Sequence, residues 1–198
     1  GSEMCIRDRY YKRNLAQKRR RTAMLNEIIR RIYESGEYAG IYANAEDTSK
    51  FMYGRIVAFD GEFFAASLVS PDGAFDGITV QDAESVVRIE LDGGYSARMK
   101  KLMAGVYTEE KFDISCEDVR GSALEAAKKA GCIVSIELLG SGVSDVIGIV
   151  EDIDGGMYRI AQVNEDGSGD GISYISLDAI TELGFASADE RRIERLHK

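Results

Sequence analysis

The chain repeats one stretch of its own sequence. Residues 51–102 align with residues 145–196 at a constant offset of 94 positions and without a gap. Self-similarity at a fixed period is typical of a fold that is built from copies of one small unit. The repeat therefore predicts two equivalent units in this chain. Eleven aligned pairs are identical, and their first members are Gly54, Asp60, Gly61, Val69, Asp72, Gly73, Asp76, Gly77, Ile78, Arg98 and Leu102.

The repeat also divides the chain of 198 residues into domains, since this length suits two small cores. We interpret residues 1–9 as a tail that is not part of the fold, because Gly1-Ser2 looks like a cloning scar. The segment Met4–Arg9 resembles the translation of a sequencing adapter, a contaminant of assembled metagenomic reads. Residues 10–104 then form the first unit, and residues 105–198 form the second.

Each unit reads as a helix, five strands and a second helix. Segments rich in aromatic and β-branched residues alternate with Asp-Gly and Pro-Asp-Gly turn signals every 8 to 12 residues. The predicted helices are Tyr10–Tyr33, Ser96–Met103, Glu117–Ala130 with a capping box at Ser115, and a last helix from the capping box at Ser187 to Leu196. The predicted strands are Tyr38–Asn44, Phe51–Asp60, Phe63–Val69, Phe75–Gln81, Ser85–Leu91, Ile133–Leu139, Val146–Ile153, Met157–Val163, Gly171–Ser176 and Ala179–Phe185.

This order of elements resembles the Sm-like and SH3-like small barrels over nearly the whole chain. Gly54 and Gly148 lie in mid-strand, where such barrels bend sharply. Asp60-Gly61 and Asp154-Gly155 match the loop of that family between its second and third strands. The resemblance implies an α+β, mainly β fold with two five-stranded, bent antiparallel barrels. The repeated Asp-Gly pattern also looks like that of bacterial proteins of this build, and it implies no activity.

The family's RNA-binding signature includes an Arg-Gly pair near the fourth and fifth strands. The corresponding positions here are Gln81-Asp82 and Ile175-Ser176, so RNA binding by that route is not implied. The family also forms rings through exposed edge strands, and the resemblance therefore implies a possible homo-oligomer.

Charge is distributed unevenly along the chain. The net charge is −9, but residues 1–35 hold 10 Lys and Arg against 4 Asp and Glu, a net charge of +6. Residues 36–198 then carry −15. Acidic units repel phosphate backbones, which disfavours ordinary nucleic-acid binding by the barrels. Nucleic-acid binding stays open for the basic first helix, through Lys18, Arg19, Arg20 and Arg21, although such a run is also typical of a solvated helix face.

No catalytic or metal-binding motif is visible. The only histidine is His197, beside the chain end, and there are no His and Cys clusters of zinc-ligand spacing. An EF-hand that is counted from Asn164 has Ile175 where a bidentate Glu is needed. We therefore predict no cofactor, no metal and no enzymatic activity, and a carboxylate enzyme is the weakest alternative.

The leading hypothesis is a non-enzymatic binding or adaptor protein that holds a protein segment or a small molecule at its barrel surfaces. The alternatives are nucleic-acid or nucleotide binding through the basic helix and an acidic mimic of nucleic acid that blocks another protein. No apolar run reaches the roughly 18 residues of a membrane span, and three cysteines give no disulfide framework, so we expect a soluble, cytoplasmic protein. The candidate ligand-binding residues are Tyr42, Tyr53, Asp60, Asp154, Tyr158 and Tyr174.

Overall fold

The computed structural model describes the backbone of residues 2–43, 49–154 and 156–198 and the side chains of residues 17–43, 49–152 and 156–198. These parts contain four α-helices and ten strands. The first half consists of α1 (Ser2–Ser35), β1 (Tyr38–Tyr42), β2 (Met52–Phe59), β3 (Phe63–Val69), β4 (Phe75–Asp82), β5 (Arg88–Glu90) and α2 (Gly94–Met103). The second half consists of α3 (Val119–Ala130), β6 (Ile133–Leu138), β7 (Val146–Asp154), β8 (Met157–Val163), β9 (Gly169–Ser176), β10 (Ile180–Phe185) and α4 (Ala188–His197).

All ten strands form one antiparallel sheet in the order β5-β1-β2-β3-β4-β10-β6-β7-β8-β9. Within each half the order is the same, because the fifth strand is followed by the first, second, third and fourth. The halves join where β4 pairs with β10. The predicted α+β, mainly β, antiparallel fold is confirmed. Two separate barrels are not confirmed, because the sheet is continuous from one half to the other and stays open at β5 and β9.

The two halves share their irregularities. Each second strand and each third strand has a register shift at the aligned position, between Ile56 and Ala58, Val150 and Asp152, Ser67 and Val69, and Ala161 and Val163. A Cβ atom at Gly54 would collide with the carbonyl oxygen of Ser67, and one at Gly148 with that of Ala161. Only glycine allows this close approach, so both mid-strand glycines are needed where a neighbouring backbone lies against them.

The helix α3 packs across the junction between the halves. One buried cluster includes Val119 and Leu124 of α3, Val80 of β4 and Leu183 of β10. Arg120 lies with its guanidinium carbon 3.9 Å from the centre of the Phe63 ring in the first half. The core of the second half is therefore continuous with the sheet of the first. The helix α1 packs on the first half through Ile29 and Ile32, and its Tyr33 hydroxyl is 3.2 Å from the Cys116 sulfur of the second half.

The predicted helix start is confirmed at α4 and differs at the other helices, since α1 begins at Ser2 where Tyr10 is predicted and α2 at Gly94 where Ser96 is predicted. The Ser115 capping box was expected to open α3, but Asp118 is the N-cap residue and its carboxylate accepts from the Gly121 N–H at 2.9 Å. The side chain of an Asp is as good a cap as that of a Ser, and it competes for the same role. At α4, Ser187 and Glu190 form the expected capping box.

Candidate functional site

A row of three polar side chains crosses the junction of the two halves. Glu182 of β10 lies opposite Gln81 of β4 on one side and opposite Glu137 of β6 on the other. Residues that are directly opposite in antiparallel strands point to the same face of the sheet. The strand pairing therefore places one amide and two carboxylates side by side on one face.

Glu182 is half-buried, and burial raises the pKa of its carboxyl group above the ordinary value. A hydrogen bond from Gln81 opposes this rise, while the negative charge of Glu137 adds to it. Like charges directly opposite each other destabilise a sheet. Repulsion between the two carboxylates thus lowers the stability of the sheet at a position where the fold itself does not require charge.

Gln81 adds an acceptor to this row. Its side chain is 8% exposed, and its Oε1 atom has no hydrogen-bond partner among the described residues. A buried acceptor without a partner costs about 1–3 kcal/mol, which a donor from outside would recover. The atoms that Gln81, Glu182 and Glu137 offer to a ligand are hydrogen-bond acceptors. The row therefore suits a cationic group with several N–H donors.

The row lies in a groove that is made of two adjoining cavities of about 600 and 850 Å³. Glu137 and Glu182 line both cavities, and Gly142 of the loop between β6 and β7 forms a wall of each. We call this surface the junction groove. Its lining contains two basic side chains, Lys50 and Arg192, and eight acidic ones, Asp76, Asp82, Glu84, Glu137, Glu165, Glu182, Asp189 and Glu190.

Several of these acidic groups already have partners. Glu190 accepts from the Ser135 hydroxyl at 2.7 Å and from the Ser187 N–H at 2.9 Å, and Asp189 forms an ion pair with Arg192 at 3.2 Å. Their charge is therefore partly compensated. Glu137 and Glu182, which line both cavities, supply negative charge in the middle of the junction groove.

The predicted tyrosines do not meet in one site. Tyr42 is 6% exposed and its hydroxyl donates to Glu90 at 2.7 Å, while the hydroxyl of Tyr53 is 2.8 Å from that of Ser96. Tyr158 is buried in the core. A buried ring offers no surface to a ligand, so three of these four residues have structural surroundings. Only Tyr174 is exposed, at 66%, and it lies on β9 at the edge of the sheet.

Of the two predicted aspartates, Asp60 lies in the turn that follows β2 and Asp154 is the last residue of β7. The Asp60 carboxylate accepts from the N–H groups of Glu62 and Phe63 in its own turn and from that of Val119 in α3. Its acceptor capacity is thus used within the protein. The backbone of Asp154 pairs with Met157, and its side chain lies outside the described residues.

The basic run of α1 divides into paired and exposed residues. Lys18 forms an ion pair with Glu84 at 3.0 Å, which lowers the pKa of the Glu84 carboxyl group, and Arg21 donates to the carbonyl oxygen of Val86 at 3.4 Å. Arg19 and Arg20 are exposed. Half of the run therefore contacts the segment before β5, and the other half faces solvent.

Sequence reasoning missed Gln81, Glu182 and Glu137 as a site. Their proximity depends on the pairing of β4 with β10, and no local pattern reveals pairing between strands about 100 residues apart. One signal was available, because Gln81 and Glu182 are positions where the repeats differ. Gln81 aligns with Ile175, and Glu182 aligns with Arg88.

The comparisons with known proteins add no family to this picture. No protein-family model, no curated protein and no solved structure matches the chain. Within the described residues, no group of three or more His, Cys, Asp and Glu side chains is arranged to hold a metal ion. None of the helices in the same part of the chain has the length and apolar character needed to cross a membrane.

Proposed function

We propose that this protein is a non-enzymatic binding protein whose junction groove holds an extended basic segment of another protein. The observation that carries the proposal is the row of Gln81, Glu182 and Glu137 in the middle of that groove. A charged row at a sheet junction costs stability, and such local costs are typical of functional sites.

A Lys or Arg side chain fits this row for three reasons. Its positive charge offsets the repulsion between Glu182 and Glu137, and its N–H groups donate to both carboxylates. A further N–H reaches the unpaired Oε1 of Gln81. Arginine is favoured over lysine, because its planar guanidinium presents five donors in a fixed fork. The remaining carboxylates of the groove attract further basic residues on either side.

The proposal extends to the build of the two halves. Their shared strand order, shared bulges and shared mid-strand glycines support two repeated units of the Sm-like or SH3-like small-barrel kind, fused through one sheet. Small barrels of the SH3-like kind bind extended peptide segments in surface grooves. An adaptor role, in which the groove tethers a partner without altering it, follows from this build.

Nucleic-acid binding through α1 is the second candidate, and the exposure of Arg19 and Arg20 favours it. Phosphates would contact only α1, because the junction groove repels them. Binding of this kind weakens steeply as salt rises, and it is lost when both arginines become alanine. Retention of nucleic acid by the double alanine variant would contradict this candidate.

A direct test of the groove uses labelled hexa-arginine as the probe. We expect the double variant Glu137→Gln and Glu182→Gln to bind the probe about tenfold or more weakly, because each lost charge-assisted hydrogen bond contributes roughly 1.5–3 kcal/mol at most. Fluorescence anisotropy at fixed ionic strength measures the affinity. NMR shift changes on titration should map to Gln81 and Glu182.

The control removes the same two charges elsewhere. Glu34 and Glu117 are exposed and lie outside the junction groove, so the variant Glu34→Gln and Glu117→Gln has the same net charge as the groove variant. It should bind the probe as the parent does. Equal loss of affinity in both variants would contradict a specific site and leave only attraction to the overall charge.

A further inference from the structure

The junction of the two halves is a contact between a fourth strand and a fifth strand. Ile78 and Val80 of β4 pair with Phe185 and Leu183 of β10, in that order. All four side chains are buried, with at most 4% of their surface exposed. The contact is therefore a packed apolar interface as well as a set of backbone hydrogen bonds.

The same two kinds of strand end the sheet. The edge strand β9 is the fourth strand of the second half, and the edge strand β5 is the fifth strand of the first half. The repeat offset of 94 maps Ile78 and Val80 to Ile172 and Tyr174, and it maps Phe185 to Leu91. These three residues are exposed, at 50%, 66% and 39% respectively. Three of the four residues that are buried at the junction thus have exposed counterparts at the edges, while Ile89, the counterpart of Leu183, is half-buried.

The repeated Asp-Gly pair has a defined role at the junction. The Asp76 carboxylate accepts from the N–H of Ala188, at the start of α4, at 3.1 Å. A Cβ atom at Gly77 would lie 2.5 Å from the carbonyl oxygen of Phe185 and 2.5 Å from the nitrogen of Ser187. Gly77 therefore allows the corner between β10 and α4 of the other half to approach its backbone.

The second copy of this pair, Asp170-Gly171, has the same glycine conformation, but no corner of the described chain packs against it. Gly171 has a φ of +84°, as Gly77 has, but apart from its own residue and its two chain neighbours no atom of the described chain lies within 4 Å of its Cβ position. The complementary corner exists at the other end of the sheet. Asp92 has a φ of 52° where Ala186, its counterpart in the repeat, has 62°, and the Cβ position of the following Gly93 is also open.

The helices α1 and α3 also differ in whether equivalent positions are covered. α1 and α3 end at equivalent left-handed glycines, Gly36 and Gly131, which pairs Met24 with Val119. Val119 is fully buried because α3 covers the strands of the preceding half, whereas Met24 is 69% exposed. The surface of α1 that corresponds to the junction face of α3 is therefore uncovered.

We propose that β9 of one copy pairs with β5 of a second copy, so that the intramolecular junction is repeated between chains. The register follows from the internal pairing, with Ile172 opposite Leu91 and Tyr174 opposite Ile89. Asp170 then accepts from the backbone at the start of α2 of the second copy, as Asp76 does within the chain.

A second copy of this chain is the partner because the chain carries both complementary surfaces, one at each end of its sheet. A contact between two different surfaces is heterologous, and it leads to a closed ring or to an open filament. Unpaired edge strands with exposed apolar side chains are otherwise a liability for aggregation, which natural proteins avoid. The repeated junction would cover both edges at once.

The test measures self-association by sedimentation equilibrium over a range of protein concentrations. We expect the parent to exceed the mass of a single chain and to dissociate on dilution. Ile172→Glu and Leu91→Lys should each weaken association by about tenfold or more, because each leaves a charge opposite an apolar residue in a buried contact. Both positions are exposed in the single chain, so folding should be unchanged by circular dichroism.

The double variant distinguishes the register from a general surface effect. With Ile172→Glu and Leu91→Lys together, every contact between copies pairs the two opposite charges, so association should be stronger than in either single variant. Leu139→Glu adds a charge at a residue that is 81% exposed and lies away from both edges, and it should associate as the parent does. A parent that keeps the mass of one chain at all concentrations, or a double variant weaker than both single variants, would overturn the proposal.

Discussion

The Asp60 carboxylate connects the two halves of the protein by accepting the backbone N–H of Val119 at 3.1 Å. Asp60 follows β2 of the first half, and Val119 is the first residue of α3 in the second. The same carboxylate accepts from the N–H groups of Glu62 and Phe63. One side chain therefore shapes a turn and anchors the helix that covers the junction.

Replacing this carboxylate should weaken both halves together. Asp60→Ala leaves three N–H groups without their acceptor, and we expect a loss of about 2–3 kcal/mol in the free energy of unfolding. Urea denaturation measures it. Asp113→Ala at an exposed position is the control and should change stability by less than about 0.5 kcal/mol. Equal stability of the two variants would contradict the anchoring role.

Removing the charge of Glu182 should stabilise the protein at neutral pH. Burial and the neighbouring Glu137 raise the pKa of Glu182, so the charged form is disfavoured in the folded state. Glu182→Gln should therefore increase the free energy of unfolding by roughly 0.5–1 kcal/mol at pH 7. Thermal or urea unfolding at that pH measures the gain.

The pH dependence of this gain has a definite sign. The folded protein binds the Glu182 proton more firmly than the unfolded chain, whose carboxyl group has the ordinary pKa of 4.5. The electrostatic cost is absent below that pH and grows as the pH rises through the raised pKa. The difference between Glu182→Gln and the parent should vanish below pH 4.5, and a difference that grows on acidification would contradict this account.

Gly77 and Gly171 form a matched pair for substitution. Both have a φ of +84°, so alanine costs roughly 1 kcal/mol of backbone strain at either position. At Gly77 the added methyl group also collides with the backbone of Phe185 and Ser187. We expect Gly77→Ala to lower the free energy of unfolding by at least about 2 kcal/mol more than Gly171→Ala, measured on dilute protein.

Arg120 should contribute more to stability than an arginine on the surface. Its guanidinium donates to the carbonyl oxygens of Leu177 and Ile180, both at 3.1 Å, and stacks on the ring of Phe63. Arg120→Ala should lower the free energy of unfolding by about 2–3 kcal/mol. Arg192→Ala removes an exposed ion pair with Asp189 and should cost at most about 1 kcal/mol in the same urea experiment.

Local sequence signals predicted the elements of this fold well. Asp60-Gly61 and the glycines at Gly36 and Gly131 mark turns and helix ends through backbone conformations that few residues other than glycine adopt readily. The strand segments follow from β-branched and aromatic runs between such turns. Interactions between residues close in the chain can be predicted from one sequence. The repeat supported these predictions, because the same signals occur in both halves.

The junction could not be predicted by the same means. Nothing local to Gln81 or Glu182 indicates that their strands pair, because pairing between distant strands depends on the shape of whole edges. The identity of Asp76-Gly77 and Asp170-Gly171 was visible, but it suggested a turn alone. Its second role, as the place where a strand-to-helix corner approaches, depends on atoms that lie about 110 residues away.

The pairing of β4 with β10 has a consequence for a chain that has been cut. Lys111 is exposed in the segment between α2 and α3, and trypsin should cleave after it. The two fragments would remain attached through the backbone ladder of the junction and the apolar contacts beneath α3. A nicked molecule should therefore elute as one species in size-exclusion chromatography under native conditions and separate only in denaturant. The peptide link between the halves is then not needed to hold the folded protein together.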